Sequence, residues 1–409
     1  MTVLAIVGAR AIDPASGFDA VATVVVRNRV IASVGSDAAP AGAEIIDANG
    51  LVLAPGLIDA GVFRADPAAC HAGGITRIVL MPDQNPPLDD PALVAFTQAM
   101  GKPDVWVHPL VAATQRLAGH ELAEIGLAQA AGAVGAATGR SGIASSAVMH
   151  RLLAYSRAFD MTVVTHAEDA ALTAGAVATE GDYATRLGLA AAPAFAEGLA
   201  IARDVRLAEA TGARLHIRQV TTAEGTALVR AAQARGVKVT AGVTPAHWLL
   251  NETTVAGFRS FARLSPPLRS DDDRRAVAAG LADGTIGIIA SGHDPRTQED
   301  KRLPFADAMP GMAGAETLLA LALSLVRSGV LPLAAVLKAM TATPAALFGL
   351  PGGTLSPGSP ADLMLFDEHA PWRIDGDRFT GAGNTPFDGL PVQGRVRMTI
   401  KGGDVVWRE

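Results

Sequence analysis

The sequence predicts an α/β protein: a (β/α)8 TIM barrel accompanied by a small β-sandwich domain built from both termini. Three observations predict it. Eight short apolar runs alternate with amphipathic, Ala- and Leu-rich segments through the middle of the chain, the pattern of a parallel sheet covered on its outer face. Strand-like runs of a different character occupy only the two ends. The 409 residues, 49% apolar and 18% charged, can bury a large core and exceed the usual size of one compact domain. The expected division assigns residues 1–53 and 354–409 to the sandwich and 54–353 to the barrel.

From residue 3 to 53, VLAIVGARAIDP, ATVVVRNRVIASVG and AEIIDANGLVLAP alternate apolar runs with turn residues, and turns at Asn28-Arg29 and Asn49-Gly50 predict a small antiparallel sheet. ADLMLFD (361–367) and GRVRMTIKGGDVVWRE (394–409) share that character, so the two ends are expected to pair. Barrel strands are expected at GLIDAGVF (56–63), TRIVLMP (76–82), VWVHPLV (105–111), GAVGAAT (132–138), MTVVTHA (161–167), ARLHIRQV (213–220), VKVTAGV (237–243) and TIGIIAS (285–291). Helices between them carry the expected punctuation. Asp90-Pro91 supplies an N-cap and first-turn proline, Gly101, Gly212, Gly236 and Gly284 mark helix ends, and Asp271 to Asp273 place acidic charge at a helix start.

The first crossover is the shortest. Twelve residues separate Phe63 from Thr76, close to the lower limit of ~10–12 for a βαβ connection. Asp66 caps a helix beginning at Pro67, and Gly73-Gly74 must end it after roughly two turns. Eight such units favour a closed barrel over an open sheet. No G-x-G-x-x-G or P-loop follows any strand, which argues against a dinucleotide or nucleotide-phosphate site.

The net charge of -6 gives no electrostatic reason to expect nucleic acid or an anionic membrane as partner. The single cysteine, Cys70, excludes an internal disulfide framework and a multi-thiolate zinc cluster. The N-terminal MTVLAIVGARAIDPASG has neither a basic n-region nor a long apolar run, so a cytoplasmic location is expected.

Barrel chemistry collects where strands end at the C-terminal face. Those positions are Gly61-Val62-Phe63-Arg64, Asp83-Gln84-Asn85, Thr138-Gly139-Arg140, His166, Gln219-Val220-Thr221-Thr222, Thr244-Pro245 and Ser291-Gly292-His293-Asp294. Segments running almost end to end, among them APGLID, GGITRIVLMPDQNP, THAED, LHIRQVTTAEG, GVTPAHWLL, LSPPLR, GTLSPGSPADLMLFD and NTPFDGLPVQGRVRMTIKGG, resemble the long-chain (type I) dihydroorotases. These are amidohydrolase-superfamily enzymes that hydrolyse and form the dihydroorotate ring in pyrimidine synthesis.

The resemblance implies a zinc site with a His-x-His after strand 1, a bridging acid or carboxylated lysine after strand 4, histidines after strands 5 and 6, and a general-base aspartate after strand 8. Most of these do not carry over. The strand 1 segment Gly61-Val62-Phe63 has no histidine, Thr138 stands after strand 4, Gln219 replaces the strand 6 histidine, and Gly292 replaces the aspartate. His166 alone is retained as a ligand position. A catalytic zinc needs about three protein ligands and an open water position, and one imidazole cannot supply them. No metal or catalytic residue is therefore expected.

The substrate side is altered as well. Arg64 stands near the family's carboxylate-binding arginine, Asp83 replaces its asparagine, and Ser265 and Arg296 replace an asparagine and a histidine. His293 keeps the histidine of the family's strand 8 Asp-His motif. The expected vestigial pocket thus comprises Arg64, Asp83, His166, Gln219, Ser265, Gly292, His293 and Arg296. His71, His108, His120, His150 and His369 show no ligand spacing.

Three functions follow as expectations. The first is a dihydroorotase-like pseudoenzyme serving as a structural or assembly subunit for the catalytic chains of aspartate carbamoyltransferase, in an oligomer; the partner is implied by resemblance to non-catalytic relatives. The second is an active dihydroorotase or other cyclic-amide hydrolase with a displaced metal site, drawn from His166, His293 and Asp294 with Asp83. The third is a small-ligand sensor.

Overall fold

A computed structural model describes residues 3–101 and 104–409. All eight expected barrel strands form: Leu57–Val62, Ile75–Leu80, Trp106–Pro109 continuing as Val111–Ala112, Ala136–Ala137, Val163–Thr165, Leu215–Ile217, Val239–Val243 and Ile288–Ile289, numbered 1 to 8 below. Each neighbouring pair in this order is parallel. The ring closes where the Phe63 amide donates to the His293 carbonyl at 3.0 Å, and the Leu110 amide bridges strands 2 and 3 by donating to the Leu80 carbonyl at 2.9 Å.

The strands read as continuous apolar runs because both of their faces are covered. One face packs inward, where Ile58, Ala60, Val79, Met81, Leu110, Val164 and Ile288 meet, with Ala345, Phe348 and Leu350 in the same cluster. The other face, including Leu57, Ile78, Leu80, Val163 and Ile217, packs against the surrounding helices. The barrel is a filled core and not a pore. Chemistry is confined to its mouth.

The first crossover takes the expected form. Its helix, Pro67–Ala72, is capped by Asp66, whose side chain accepts from the Ala69 amide at 3.3 Å, and Gly73 ends it. Gly74 follows with φ +76, and a Cβ there would stand 2.1 Å from Met364 Sδ of the terminal sheet. The connection is therefore both short and clamped. Among the described residues no helix is long and apolar enough to cross a membrane.

Strands from both termini form a separate eight-stranded sheet. Its hydrogen-bonded order is Asp404–Arg408, Pro391–Lys401, Leu363–Arg373, Val52–Pro55, Val3–Asp13, Phe18–Arg27 and Val30–Gly35, with Glu44–Asp47 added beside Val3–Asp13. The expected turn at Asn28-Arg29 is present, both residues at positive φ, as a tight hairpin needs. The expectation of a purely antiparallel N-terminal sheet is corrected: Val3–Asp13 pairs parallel with Glu44–Asp47 and with Val52–Pro55. Apolar alternation identifies strands but carries no strand direction, and the loop from 36 to 43 brings the chain back to the same end of the sheet. Val52–Pro55 also carries the sheet two residues past position 53, pairing antiparallel with Leu363–Phe366.

A buried ion pair joins sheet and barrel. Arg77 on strand 2 donates from Nη2 to Asp362 Oδ2 at 2.5 Å, and both side chains are almost wholly buried. The second carboxylate oxygen accepts from Trp106 Nε1 at 3.1 Å and from the Gly402 amide at 2.7 Å.

Candidate functional site

The barrel mouth holds a cavity of about 100 Å³ lined by Phe63, Arg140, His166, Arg218, Gln219, Thr244, His247, Leu264, Ser265, Gly292, Asp294 and the 310–312 loop. An adjoining cavity of about 250 Å³ shares Arg140, His166, Leu264, Ser265 and Pro310. Strands 4 to 8 end at this face, which gathers residues distant in sequence into one wall.

Arg218, immediately after strand 6, sits at the centre. Its stem passes over Gly61, where a Cβ would stand 3.3 Å from Arg218 Cγ. Its guanidinium lies over the Phe63 ring at 5.1 Å, and Arg140 lies over the same ring at 3.9 Å. The two positions of the family's His-x-His are thus a glycine that admits an arginine stem and an aromatic ring that supports two guanidinium groups. Burial lowers the Arg218 pKa to about 10.

His166, the one retained ligand position, has both ring nitrogens in use. Arg218 Nη2 donates to Nδ1 at 3.2 Å, which makes Nδ1 an acceptor. Nε2 therefore carries the proton and donates to Glu168 Oε2 at 3.1 Å. Neither nitrogen keeps a lone pair for a metal. Thr138, in place of the bridging acid, accepts the His166 amide through Oγ1 at 3.0 Å. Burial alone would raise the Glu168 carboxyl, but His166 and Arg269 outweigh it and hold it at about 2.

The strand 6 and strand 8 replacements are equally committed. Gln219 Nε2 donates to His247 Nδ1 at 2.7 Å and to Thr244 Oγ1 at 3.1 Å. His247 donates from Nε2 to the Pro266 carbonyl at 3.3 Å, and burial drops its pKa to about 3, so it stays neutral. Gly292 has φ +65, and a Cβ would stand 2.9 Å from Thr244 Cγ2 and 3.0 Å from Met312 Cε. An aspartate there would need the walls to move. The residues present do not fit a catalytic zinc, and among the described residues no three His, Cys, Asp or Glu side chains gather where they could hold a metal ion.

Of the expected pocket residues, His166, Gln219, Ser265 and Gly292 line the central cavity together. The other four do not line it. Arg64 is exposed on the strand 1 loop. Asp83 stands behind Arg140, whose amide donates to its Oδ1 at 2.9 Å. Arg296 donates from Nη2 to Asp294 Oδ2 at 2.7 Å. His293 is buried, its Nδ1 accepting from the Gly314 and Ala315 amides at 3.3 Å each.

Asp294 reaches the cavity held by Arg140 through both guanidinium nitrogens, so His166, His293, Asp294 and Asp83 do not converge as a displaced metal site. Sequence reasoning missed Arg218 and Glu168. Their signal was adjacency, since each lies within two residues of a strand-end position already singled out. Cys70, the lone cysteine, is buried, and burial pushes its thiol up.

Below the mouth, Asp59 accepts from the Ser291 amide at 2.9 Å and from its hydroxyl at 2.5 Å, and burial lifts its pKa from 3.8 to about 6. The folded state therefore binds this proton more tightly than the unfolded chain. That contribution to stability is complete below pH 3.8 and is lost as pH rises through 6, by as much as ~3 kcal/mol. Asp59→Asn is expected to remove the loss: urea midpoints of variant and wild type should diverge in the variant's favour from pH 4 to 7. Parallel pH profiles would refute this.

The description "Amidohydrolase family" belongs to a family model matching residues 73–406. Similar proteins include a dihydroorotase from Pelotomaculum thermopropionicum, 41% identical with 99% of both chains covered. Another is a dihydroorotase from Syntrophotalea carbinolica, 39% identical with 98% of both covered. Among solved structures, an L-hydantoinase (dihydropyrimidinase) from Arthrobacter aurescens matches with a TM-score of 0.87 at 26% identity, over 100% of this chain and 96% of that one.

Proposed function

The chain belongs to the amidohydrolase family, and from that premise we propose that it is a dihydroorotase-like protein of pyrimidine biosynthesis that does not hydrolyse at its barrel mouth and serves as an assembly subunit for the catalytic chains of aspartate carbamoyltransferase. One observation carries the non-catalytic reading: both nitrogens of His166 are engaged, by Arg218 and Glu168, where a hydrolytic zinc would need a free lone pair. At position 292 a glycine stands where the resemblance implies a general-base aspartate, and Asp294, the carboxylate that lines the cavity, is held by Arg140 and Arg296. The transcarbamoylase partner rests on resemblance to non-catalytic relatives.

A second reading, an active dihydroorotase, is favoured by the comparisons: relatives at 41% and 39% identity over nearly the full chain carry that name. Two measurements separate the readings. Purified chain loaded with zinc and supplied with dihydroorotate is expected to retain no stoichiometric metal and to show no turnover above the uncatalysed rate; zinc-dependent hydrolysis would establish the enzyme. Co-expression with the transcarbamoylase is expected to give one co-eluting species on sizing. Separate elution, with a transcarbamoylase fully active alone, would remove the assembly role.

A further inference from the structure

Arg218 is 7% exposed, and among the described residues it makes no ion pair with any carboxylate. Among the described residues its side chain makes one hydrogen bond, to the imidazole Nδ1 of His166 and not to a carboxylate, and its Nε has no partner. Buried charges are ordinarily paired, and an unsatisfied one calls for a physical reason. Three neighbouring carboxylates attract the Arg218 charge from a distance, Asp83 most strongly, and two of them are already served. Asp294 is held by Arg140 and Arg296, and Glu168 by Arg269 and His166. Asp83 is the rival for the Arg218 charge, since its Oδ2 has no hydrogen-bond partner, but its Oδ1 is taken by the Arg140 amide and it does not line the cavity.

The cavity that Arg218 lines is several times the size one water needs. Ser265, at its rim, makes no side-chain hydrogen bond among the described residues, so its hydroxyl is free to donate. The adjoining cavity adds Arg263, whose Nε also has no partner.

We propose that the barrel mouth binds a small anion bearing a carboxylate or phosphate group, with Arg218 as the buried charge partner and the Ser265 hydroxyl as a second donor. A guanidinium presents a fork of N–H donors that matches either group, and the supporting Phe63 ring holds its plane in place. The anion occupies the cavity between Arg218 and Ser265; Ser265 stands at a position the resemblance places on the substrate side, whereas its charge partner, Arg218, lies outside the Arg64 and Asp83 positions at which the resemblance would seat a substrate. Binding at this site requires neither turnover nor a partner subunit, so its failure is separable from failure of either functional reading.

Calorimetric titration of the full chain with inorganic phosphate and, separately, with malonate tests it. One site per chain is expected for at least one of the two, and the anion that binds identifies the chemistry. Arg218→Gln is expected to weaken binding by at least about tenfold. Asp83→Asn, which removes the rival charge, is expected to tighten it, and Ser265→Ala to weaken it; these two carry the test if Arg218→Gln does not fold. Absence of heat and of thermal stabilisation with both anions at millimolar concentration would overturn the proposal, as would binding that ignores residues 218 and 83.

Discussion

Replacing Arg269 with methionine is expected to destabilise the protein by about 3–5 kcal/mol at neutral pH. Arg269 is 2% exposed and serves two elements at once. It donates from Nη2 to Glu168 Oε1 at 2.9 Å, from Nε to Thr221 Oγ1 at 2.9 Å and from Nη1 to Thr179 Oγ1 at 3.2 Å. Glu197 Oε2 lies 3.7 Å away. Glu197 is wholly buried and accepts from the amides of Thr221 and Thr222, at 2.9 Å each, as well as from both hydroxyls.

Methionine would leave Glu168 and Glu197, both buried, without the cation they share. The penalty depends on pH in a defined direction. Glu168 is held at about 2 in the folded state against 4.5 for the free group, so its ionisation stabilises the fold above pH 4.5, and that stabilisation is lost as pH falls toward 2. His166 is the larger cause of this lowering and Arg269 the next; Arg269→Met removes the second part, so the gap from wild type is largest near pH 7 and narrows below pH 4. Denaturant midpoints across that range measure it. A loss under about 1 kcal/mol at pH 7 would mean that His166 suffices for Glu168 and the two threonines for Glu197.

Asp362→Ala is expected to cost a similar ~3–5 kcal/mol, by leaving Arg77 buried and unpaired between barrel and terminal sheet. It also takes the acceptor from Trp106 Nε1 and the Gly402 amide. The effect should be local before it is global. Hydrogen exchange is expected to speed up first in 361–367 and in strand 2, with the far barrel strands unaffected. Arg77→Met with Asp362→Leu, which removes both charges, is expected to recover part of the loss. If Asp362→Ala unfolds with wild-type midpoint and exchange, the pair does not join the two sheets in the way its geometry requires.

What stands at the family's ligand positions was legible residue by residue. Gly61, Phe63, Thr138, Gln219 and Gly292 are identities, and no fold can turn them into imidazoles or carboxylates. Their new roles were not legible. That Gln219 would bond His247 depends on strands 6 and 7 lying side by side, and that Thr138 would hold the His166 backbone depends on strands 4 and 5 doing so. Arg64 shows the converse. Its place in the sequence suggested a binding arginine, yet it turns out to solvent while Arg218 and Arg140, from strands 6 and 4, share the Phe63 ring.

By itself, the sequence determined the eight-unit barrel, the capped short crossover from Asp66 to Gly74, the pairing of the two termini and the residue identities at the family's ligand positions. Each of these follows from local periodicity, capping chemistry or residue identity. Only the tertiary structure decided the direction of the strands beside Val3–Asp13, the salt link between Arg77 and Asp362, and the placing of Arg218 at the centre of the mouth. Those depend on which distant segments the closed sheet makes neighbours, and on which way a side chain turns once the chain leaves a strand, where the alternation that guides sequence reading no longer applies.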